Sequence, residues 1–331
     1  MGNVRCGRRP EGGQAVIKLG VIMDPIGSIT PYKDTTLAMM LEAQRRGWQL
    51  HYMEQPYLYM RDGEVFARHR TVQVRDDNLD WFRFGEETRG PLADMDIVLM
   101  RKDPPVDDEY LYTTYLLQVA ESHGVLVLNR PQALREVNEK LYTAWFAHCT
   151  APTLVASDGA VIREFLDEQQ DIILKPLNMM GGASIFRLRS GDPNIGVVLE
   201  TMTRHGSRPA MAQRYLPEIV SGDKRILMID GEPLDYALAR IPSPGETRGN
   251  LAAGGRGEGV PLSERDRWIC AQVGPRLREL GLLFVGLDVI GDHLTEINVT
   301  SPTCVRELDA IYGLNIAGQL FDCLESRLAG G

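Results

Sequence analysis

The sequence predicts an open α/β domain followed by an α+β region, and three observations carry that expectation. Near the start, an apolar run over residues 16–23, a helical pattern behind Thr35 and Thr36 and a second run at Gln49–Met53 form a strand–helix–strand unit, which implies a parallel sheet. In the second half, Asp230-Gly231 and Gly291-Asp292 each separate two runs of strand character, the pattern of antiparallel hairpins. At 331 residues the chain also exceeds the size at which one core stops growing, so two or three domains are expected.

The elements follow in order from local chemistry. Asp24-Pro25 stops the first strand. Leu37, Met40 and Leu41 repeat at helical spacing, with Thr35 and Thr36 as caps and Gly47 as the stop. Arg61-Asp62-Gly63 reads as a hairpin turn, and residues 97–100 as a short strand that Pro104 and Pro105 close off. Residues 107–123 form a helix and 125–128 a buried strand. From 131 to 146 the pattern turns helical, and the domain boundary is placed there. Next come a strand at 172–174, a glycine turn at Gly181-Gly182, a strand at 185–188, a helix at 194–204 and a strand at Ala210–Arg214. One hairpin joins 225–229 to 234–241. Residues 243–259 hold six glycines and two arginines with almost no apolar content, so a mobile loop is expected. A helix at 263–280 leads into the second hairpin, Phe284–Ile290 with His293–Asn298.

Composition narrows the function. Apolar residues at 44% and charged residues at 24% are those of an ordinary soluble globular protein. A formal charge of −9 argues against broad contact with nucleic acid or anionic membrane, but local basic residues can still receive an anionic substrate. The five cysteines are scattered without C-x-x-C and read as reduced thiols of a cytosolic protein. No apolar run is long enough to span a bilayer. Residues 1–15 carry Arg5, Arg8 and Arg9 without an apolar stretch, and read as a disordered extension rather than a secretory signal.

Asp288, Glu296 and Asn298 form the strongest chemical constellation. Residues two apart on a strand share a face, so Glu296 and Asn298 project together and Asp288 can join them across the hairpin. Two carboxylates and an amide oxygen are hard ligands suited to Mg²⁺. The same side chains also read as a polar strand face with internally hydrogen-bonded acids. Lys175 ends a buried strand and faces either a cleft or solvent. The loop behind it, 176–184, has backbone N–H groups able to wrap phosphate, though no Walker A pattern is present. Lys224, Arg225, Arg240, Arg248 and Arg256 form either a solvated basic face or a set of anion-binding groups, with the glycine-rich loop as a lid. The histidines lack metal-ligand spacing, no G-x-S-x-G elbow exists, and Cys304 reads as a packed thiol.

Taken together, these residues resemble the bacterial glutathione synthetase family of the ATP-grasp superfamily. The resemblance runs from about 16 to 328 and is carried by KLGVIMDP (18–25), LEAQRRG (41–47), MRKDPP (100–105), NEKL (138–141), ILKP (173–176) and GGASIF (181–186). GDKR (222–225), ETRGNLAAGGRG (246–257), FVGLD (284–288) and TEINVTSPTC (295–304) are its most specific stretches. It implies an N-terminal α/β domain over 16–135 and a two-subdomain ATP-grasp fold over 136–331. The subdomains would span about 140–215 and 216–331, with a lid at 241–257.

By the family pattern, Lys140 and Lys175 contact ATP phosphates, and Met180, Gly181, Gly182, Ala183 and Ser184 form the phosphate loop. Gln213, Tyr215 and Leu216 line the adenine pocket, and Asp223 and Lys224 complete the nucleotide site. Asp288, Glu296 and Asn298 hold Mg²⁺, for which Mn²⁺ can substitute. Arg225 and Arg248 are the catalytic cations, and Asp24, Arg240, Asn250, Thr300 and Ser301 receive substrate. The implied reaction joins γ-glutamylcysteine to glycine at the expense of ATP through an acyl phosphate, in a cytoplasmic homotetramer with no nucleic-acid or membrane partner. One departure stands out: Asn178-Met179 replaces the family's Asp-Gly pair, which implies altered ATP affinity or loop closure. The alternatives are an ATP-grasp ligase acting on D-alanine or glutamate, and a nucleotide-binding regulator without turnover.

Overall fold

The computed structural model describes residues 16–246, 249 and 254–330. The expectations for residues 1–15, Arg248 and Asn250 therefore lie outside the described residues. The first apolar run becomes β1 (Lys18–Ile22), buried from Leu19 onward. It leads through α1 (Thr35–Arg45) into β2 (Gln49–Met53), parallel to β1 as expected. The cap of α1 is Asp34, whose carboxylate accepts from Leu37 N at 2.6 Å. Thr35 and Thr36 are not the caps, because their hydroxyls accept from Val305 N and from the Arg101 guanidinium.

The turn at 61–63 joins β3 (Leu58–Arg61) to β4 (Glu64–Val74), which returns as β5 (Phe82–Pro91). The hairpin turn expected at 61–63 implies β4, but its full length and its return as β5 are not anticipated. Buried positions of β4 include His69, and β5 is exposed along most of its length, so the alternating apolar signal is weak. On the far side of β1 lies β6 (Ile97–Met100). Then α2 (Asp108–Ser122) crosses to β7 (Leu126–Leu128), again parallel. The sheet order is β3-β4-β2-β1-β6-β7, with β5 on β4.

The helical pattern at 131–146 resolves into α3 (Pro131–Glu136) and a kinked 3₁₀ segment, Leu141–Cys149. The break falls where the Asn138 side chain accepts from Lys140 N and Leu141 N, a local alternative to helix hydrogen bonding. A second, antiparallel sheet follows from β8 (Thr153–Ala156), α4 (Gly159–Gln169), β9 (Asp171–Pro176), β10 (Phe186–Arg189), α5 (Ile195–Thr203) and β11 (Ala210–Arg214), ordered β10-β9-β11-β8. Strand alternation divides its faces. Ile172 and Leu174 pack with Leu166 and Leu199 of the helices in a small separate core, whereas Ile173 and Lys175 line a cavity.

The third sheet is antiparallel throughout: β12 (Asp223–Ile229), β13 (Glu232–Ile241), β14 (Arg256–Pro261), β15 (Phe284–Ile290) and β16 (His293–Asn298), in the order β14-β13-β12-β15-β16. Ahead of β15, α6 (Glu264–Leu280) starts with a Ser263–Asp266 capping box. The chain ends in α7 (Val305–Tyr312) and α8 (Ile316–Gly330), which the sequence reading does not anticipate. The expected loop over 243–259 is shorter, because its last residues pair with β13 as β14. A Cβ at Gly257 would lie 3.2 Å from Leu238 Cδ2 and one at Gly259 would lie 2.6 Å from the Tyr312 ring, so these glycines serve close packing.

The first and third sheets share their cores. Leu19, Val21 and Met40 belong to one apolar cluster with Leu227, Phe284 and Phe321, and Trp48 stacks on Phe321 with centroids 4.8 Å apart. Asn129 fastens this junction: its amide donates to Phe284 O and Val299 O at 2.8 and 2.7 Å, and its oxygen accepts from Phe284 N at 3.0 Å. Asn129→Ala leaves three buried backbone groups without these partners. We expect a loss of about 3 kcal/mol in urea unfolding, given about 1 kcal/mol per hydrogen bond. A loss below about 1 kcal/mol would show that the junction does not rely on this side chain.

Candidate active site

One face of the third sheet collects the charges. Asp223 and Arg225 lie two apart on β12, Gly286 and Asp288 on β15, and Glu296 and Asn298 on β16. The register sets Arg240 opposite Asp223, Arg225 opposite Asp288, Asp288 opposite Glu296, and Gly286 opposite Asn298. All seven side-chain positions therefore fall on one face. Gly286 leaves the space in which Arg225 lies: an added Cβ would stand 2.7 Å from Arg225 Cδ.

Within this row, Arg225 Nε and Nη2 donate to the two Asp288 oxygens at 2.5 and 3.0 Å. Arg240 Nη2 reaches Asp288 Oδ2 at 2.8 Å and also pairs with the Asp223 carboxylate. All four residues are buried. Burial works to raise the Asp288 pKa, but Arg225 and Arg240 outweigh it and hold the carboxyl below the ordinary range. Because the folded pKa is depressed, this pairing contributes stability at neutral pH and loses it only as pH falls below the ordinary carboxylate range. For Asp223 burial wins over Arg240 and pushes the carboxyl up to about 7. Its Oδ1 is buried and has no hydrogen-bond partner among the described residues.

Glu296 stands at the end of the row. Lys140 Nζ and Lys175 Nζ lie 3.6 and 3.7 Å from its Oε1, close enough for charge pairing but too far for hydrogen bonds. Lys140 Nζ instead donates to Met179 O at 2.6 Å, and Lys175 Nζ to Thr295 O at 3.3 Å. Burial pulls the Lys175 pKa down, and Glu296 offsets part of that.

Two cavities flank the row, and Asp288 and Glu296 line both. The smaller, about 100 Å³, lies between the second and third sheets. It is lined by the expected nucleotide residues Lys140, Lys175, Gly181, Gly182, Ala183, Gln213, Tyr215, Leu216 and Asp223. The larger, about 390 Å³, reaches the first sheet and takes Asp24, Met180, Arg240, Asn298, Thr300 and Ser301. Two of the expected residues lie apart from both cavities. The Lys224 side chain is on the opposite face of β12, paired with Asp266 at 2.5 Å, as strand alternation requires. Ser184 is exposed and lines neither cavity. Gly249, between Arg248 and Asn250, does line the smaller cavity, and an added Cβ would run into the Arg240 carbonyl.

Two residues of the site went without a role in the sequence reading. Glu139 Oε1 accepts from Val299 N, Thr300 N and Thr300 Oγ1 at 2.9, 3.0 and 2.9 Å, and so shapes the polar turn after β16. Arg101 is 5% exposed and lines the larger cavity. It donates to Thr36 Oγ1 and Pro302 O, yet no carboxylate of the described residues lies within ion-pair distance. Its position just beyond the carboxyl end of β6 was the available signal, since ligands of open α/β sheets gather there.

The donor set fits a divalent cation. Asn298 Nδ2 donates to Gly286 O at 3.1 Å, which leaves its Oδ1 as the available acceptor, and no short hydrogen bond claims the Glu296 oxygens. Among the described residues, no three His, Cys, Asp or Glu side chains cluster as a metal site, so the side chains here would leave coordination positions for water or substrate oxygens.

Residues 17–135 match the family model of the prokaryotic glutathione synthetase N-terminal domain, and residues 139–313 that of the prokaryotic glutathione synthetase ATP-grasp domain. The chain belongs to the prokaryotic glutathione synthetase family. The glutathione synthetase of Pseudomonas putida is 62% identical over 94% of this chain and 98% of that protein. That of Escherichia coli K12 is 58% identical over 95% and 99%. The fold is also that of a D-cycloserine synthetase (TM-score 0.66, 16% identity, 94% and 99% covered) and of an ATP-grasp ligase complexed with minimal precursor, Mg and ADP (0.62, 17%, 94% and 98%). The protein is thus an ATP-grasp ligase of the glutathione synthetase family.

The two carboxylates of the row differ in what they hold in place. Asp288→Asn leaves two buried guanidinium groups short of a countercharge, and we expect a loss of about 3–5 kcal/mol in unfolding free energy. Glu296→Gln removes longer ion pairs, at 3.6 and 3.7 Å, from two buried lysines, and we expect a smaller loss of about 1–2 kcal/mol. Equal losses from the two substitutions in denaturant titrations would contradict this division.

Proposed function

We propose that the protein joins γ-glutamylcysteine to glycine, converting ATP to ADP and phosphate. The observation that carries this reading is that Asp288 and Glu296 line both cavities, so one charge row can serve a nucleotide on one side and an acceptor carboxylate on the other. Lys140 and Lys175, held loosely by Glu296, suit the polyphosphate. Asp223, with its unpartnered oxygen, suits a nucleotide hydroxyl.

An amine cannot displace hydroxide from a carboxylate, so the cysteinyl carboxylate first takes the γ-phosphoryl group of ATP. The glycine amine then bonds to the acyl carbon, phosphate departs with the electrons of the C–O bond, and the nitrogen loses a proton. Arg225 and Arg240, buried beside Asp288, supply fixed positive charge where the transferring oxygens become negative. Arg101 offers a buried guanidinium to a substrate carboxylate in the larger cavity. Asp288, Glu296 and Asn298 would hold Mg²⁺, which when bound polarises the phosphoryl oxygens. By likeness to the family, the lid expected at 241–257 would exclude water from the acyl phosphate. Likeness to the family further supports a cytoplasmic homotetramer.

A substrate panel with phosphate release as the readout tests the assignment. Release should require γ-glutamylcysteine and glycine together, and release dependent on D-alanine or glutamate instead would overturn it. Glu296→Gln should lower kcat by about 100-fold or more, the usual cost of removing one group aimed at developing charge. Wild-type turnover would take Glu296 out of the site. In the phosphate loop, Asn178→Asp with Met179→Gly should lower the KM for ATP severalfold, and unchanged ATP kinetics would show that the departure is silent.

A further inference from the structure

Of the carboxylates lining the larger cavity, Asp103 is exposed to solvent, and the others are engaged by the protein with one exception. Asp24 pairs with Lys102, Asp34 caps α1, Glu139 receives three donors, Asp288 two arginines and Glu296 two lysines. Glu307, in the first turn of α7, lines the same cavity but receives no hydrogen bond from another described residue. Its own amide is its only close donor, and its Oε2 is buried without any. Burial raises its pKa, and the charges that pull it back are Lys33, Arg306 and Arg225. None of these stands within ion-pair distance, and Arg306 is turned away to Asp76. A carboxylate oxygen buried in this state bears a desolvation cost that a donor would remove.

The surroundings say which donor fits. Glu307 lies within reach of the Arg225 charge, and Arg225 holds Asp288 at the boundary between the cavities. The phosphorylated carboxylate must form at that boundary, and the attacking amine must meet it there. The α-ammonium of the glutamyl residue lies several bonds further along the peptide. Lys33 lines the same cavity and offers the opposite charge, so a small zwitterion has a partner for each end.

We infer that Glu307 is a positioning residue for the amino-acid nucleophile, holding the ammonium of glycine beside the phosphoryl-transfer centre with Lys33 near its carboxylate. The inference rests on the proposed ligation. A wild-type enzyme inactive with γ-glutamylcysteine and glycine would refute that reaction, whereas the tests below refute Glu307 alone.

Glu307→Gln keeps the shape and removes the charge. In the full-length enzyme we expect the KM for glycine to rise roughly 10- to 100-fold, the range for losing a hydrogen bond to a charged group. The KM values for ATP and γ-glutamylcysteine should stay within about twofold of wild type, because neither presents its ammonium or hydroxyls to this wall. Hydroxylamine is uncharged at neutral pH, so the preference for glycine over hydroxylamine should fall by the same factor as glycine KM rises. The thermal midpoint should hold or increase, since the substitution relieves an unpartnered charge. A rise confined to γ-glutamylcysteine, an unchanged glycine preference, or a lowered midpoint with all three KM values moving together would each overturn the assignment.

Discussion

Four charges buried in one row, Arg225, Asp288, Arg240 and Asp223, are the constraint on which the rest of the molecule depends. Taking such groups out of water is expensive, and their mutual attraction repays this only with good geometry. The register of three antiparallel strands provides that geometry, and Gly286 provides the space. An apolar row of equal volume would pack at least as well, so stability alone does not account for these residues. Their positions make sense once oxygen-rich, negatively charged reactants face them from both sides.

The supports around the row differ in kind. The first and third sheets share a core through Trp48, Phe284 and Phe321 and are fastened by Asn129, so much of the larger cavity's wall comes from elements that pack on one another. The second sheet packs around its own small core of Ile172, Leu174, Leu199 and their neighbours. It meets the row through Lys140 and Lys175, whose contacts with Glu296 are long. A unit with a separate core and loose polar contacts is suited to move as the nucleotide enters and leaves.

Much of this was legible from residue order. The hairpins around Asp230-Gly231 and Gly291-Asp292 run as expected because their turns demand those residues and each turn divides two largely buried runs. The hairpin of β4 and β5 escaped, since an exposed strand with a histidine among its partner's buried residues shows no one-sided pattern. The helices α7 and α8 escaped as well. Lys224 was placed with its neighbours by motif alone, although strand alternation sends it to the other face. In the glycine-rich stretch, Gly257 and Gly259 looked like flexibility but make room for Leu238 and Tyr312, a distinction that needs the neighbouring chain.

The sequence by itself determined the strand periods, the turn chemistry and the inventory of charges, because these depend on neighbours a few residues apart. It also carried the motifs that tie the chain to its family. Only the tertiary structure decided which charges meet. Whether a carboxylate is satisfied, as Glu139 and Asp288 are, or left without a donor, as Asp223 Oδ1 and Glu307 Oε2 are, depends on groups brought in from far along the chain. Burial and long-range register set those encounters, and neither is encoded in local spacing.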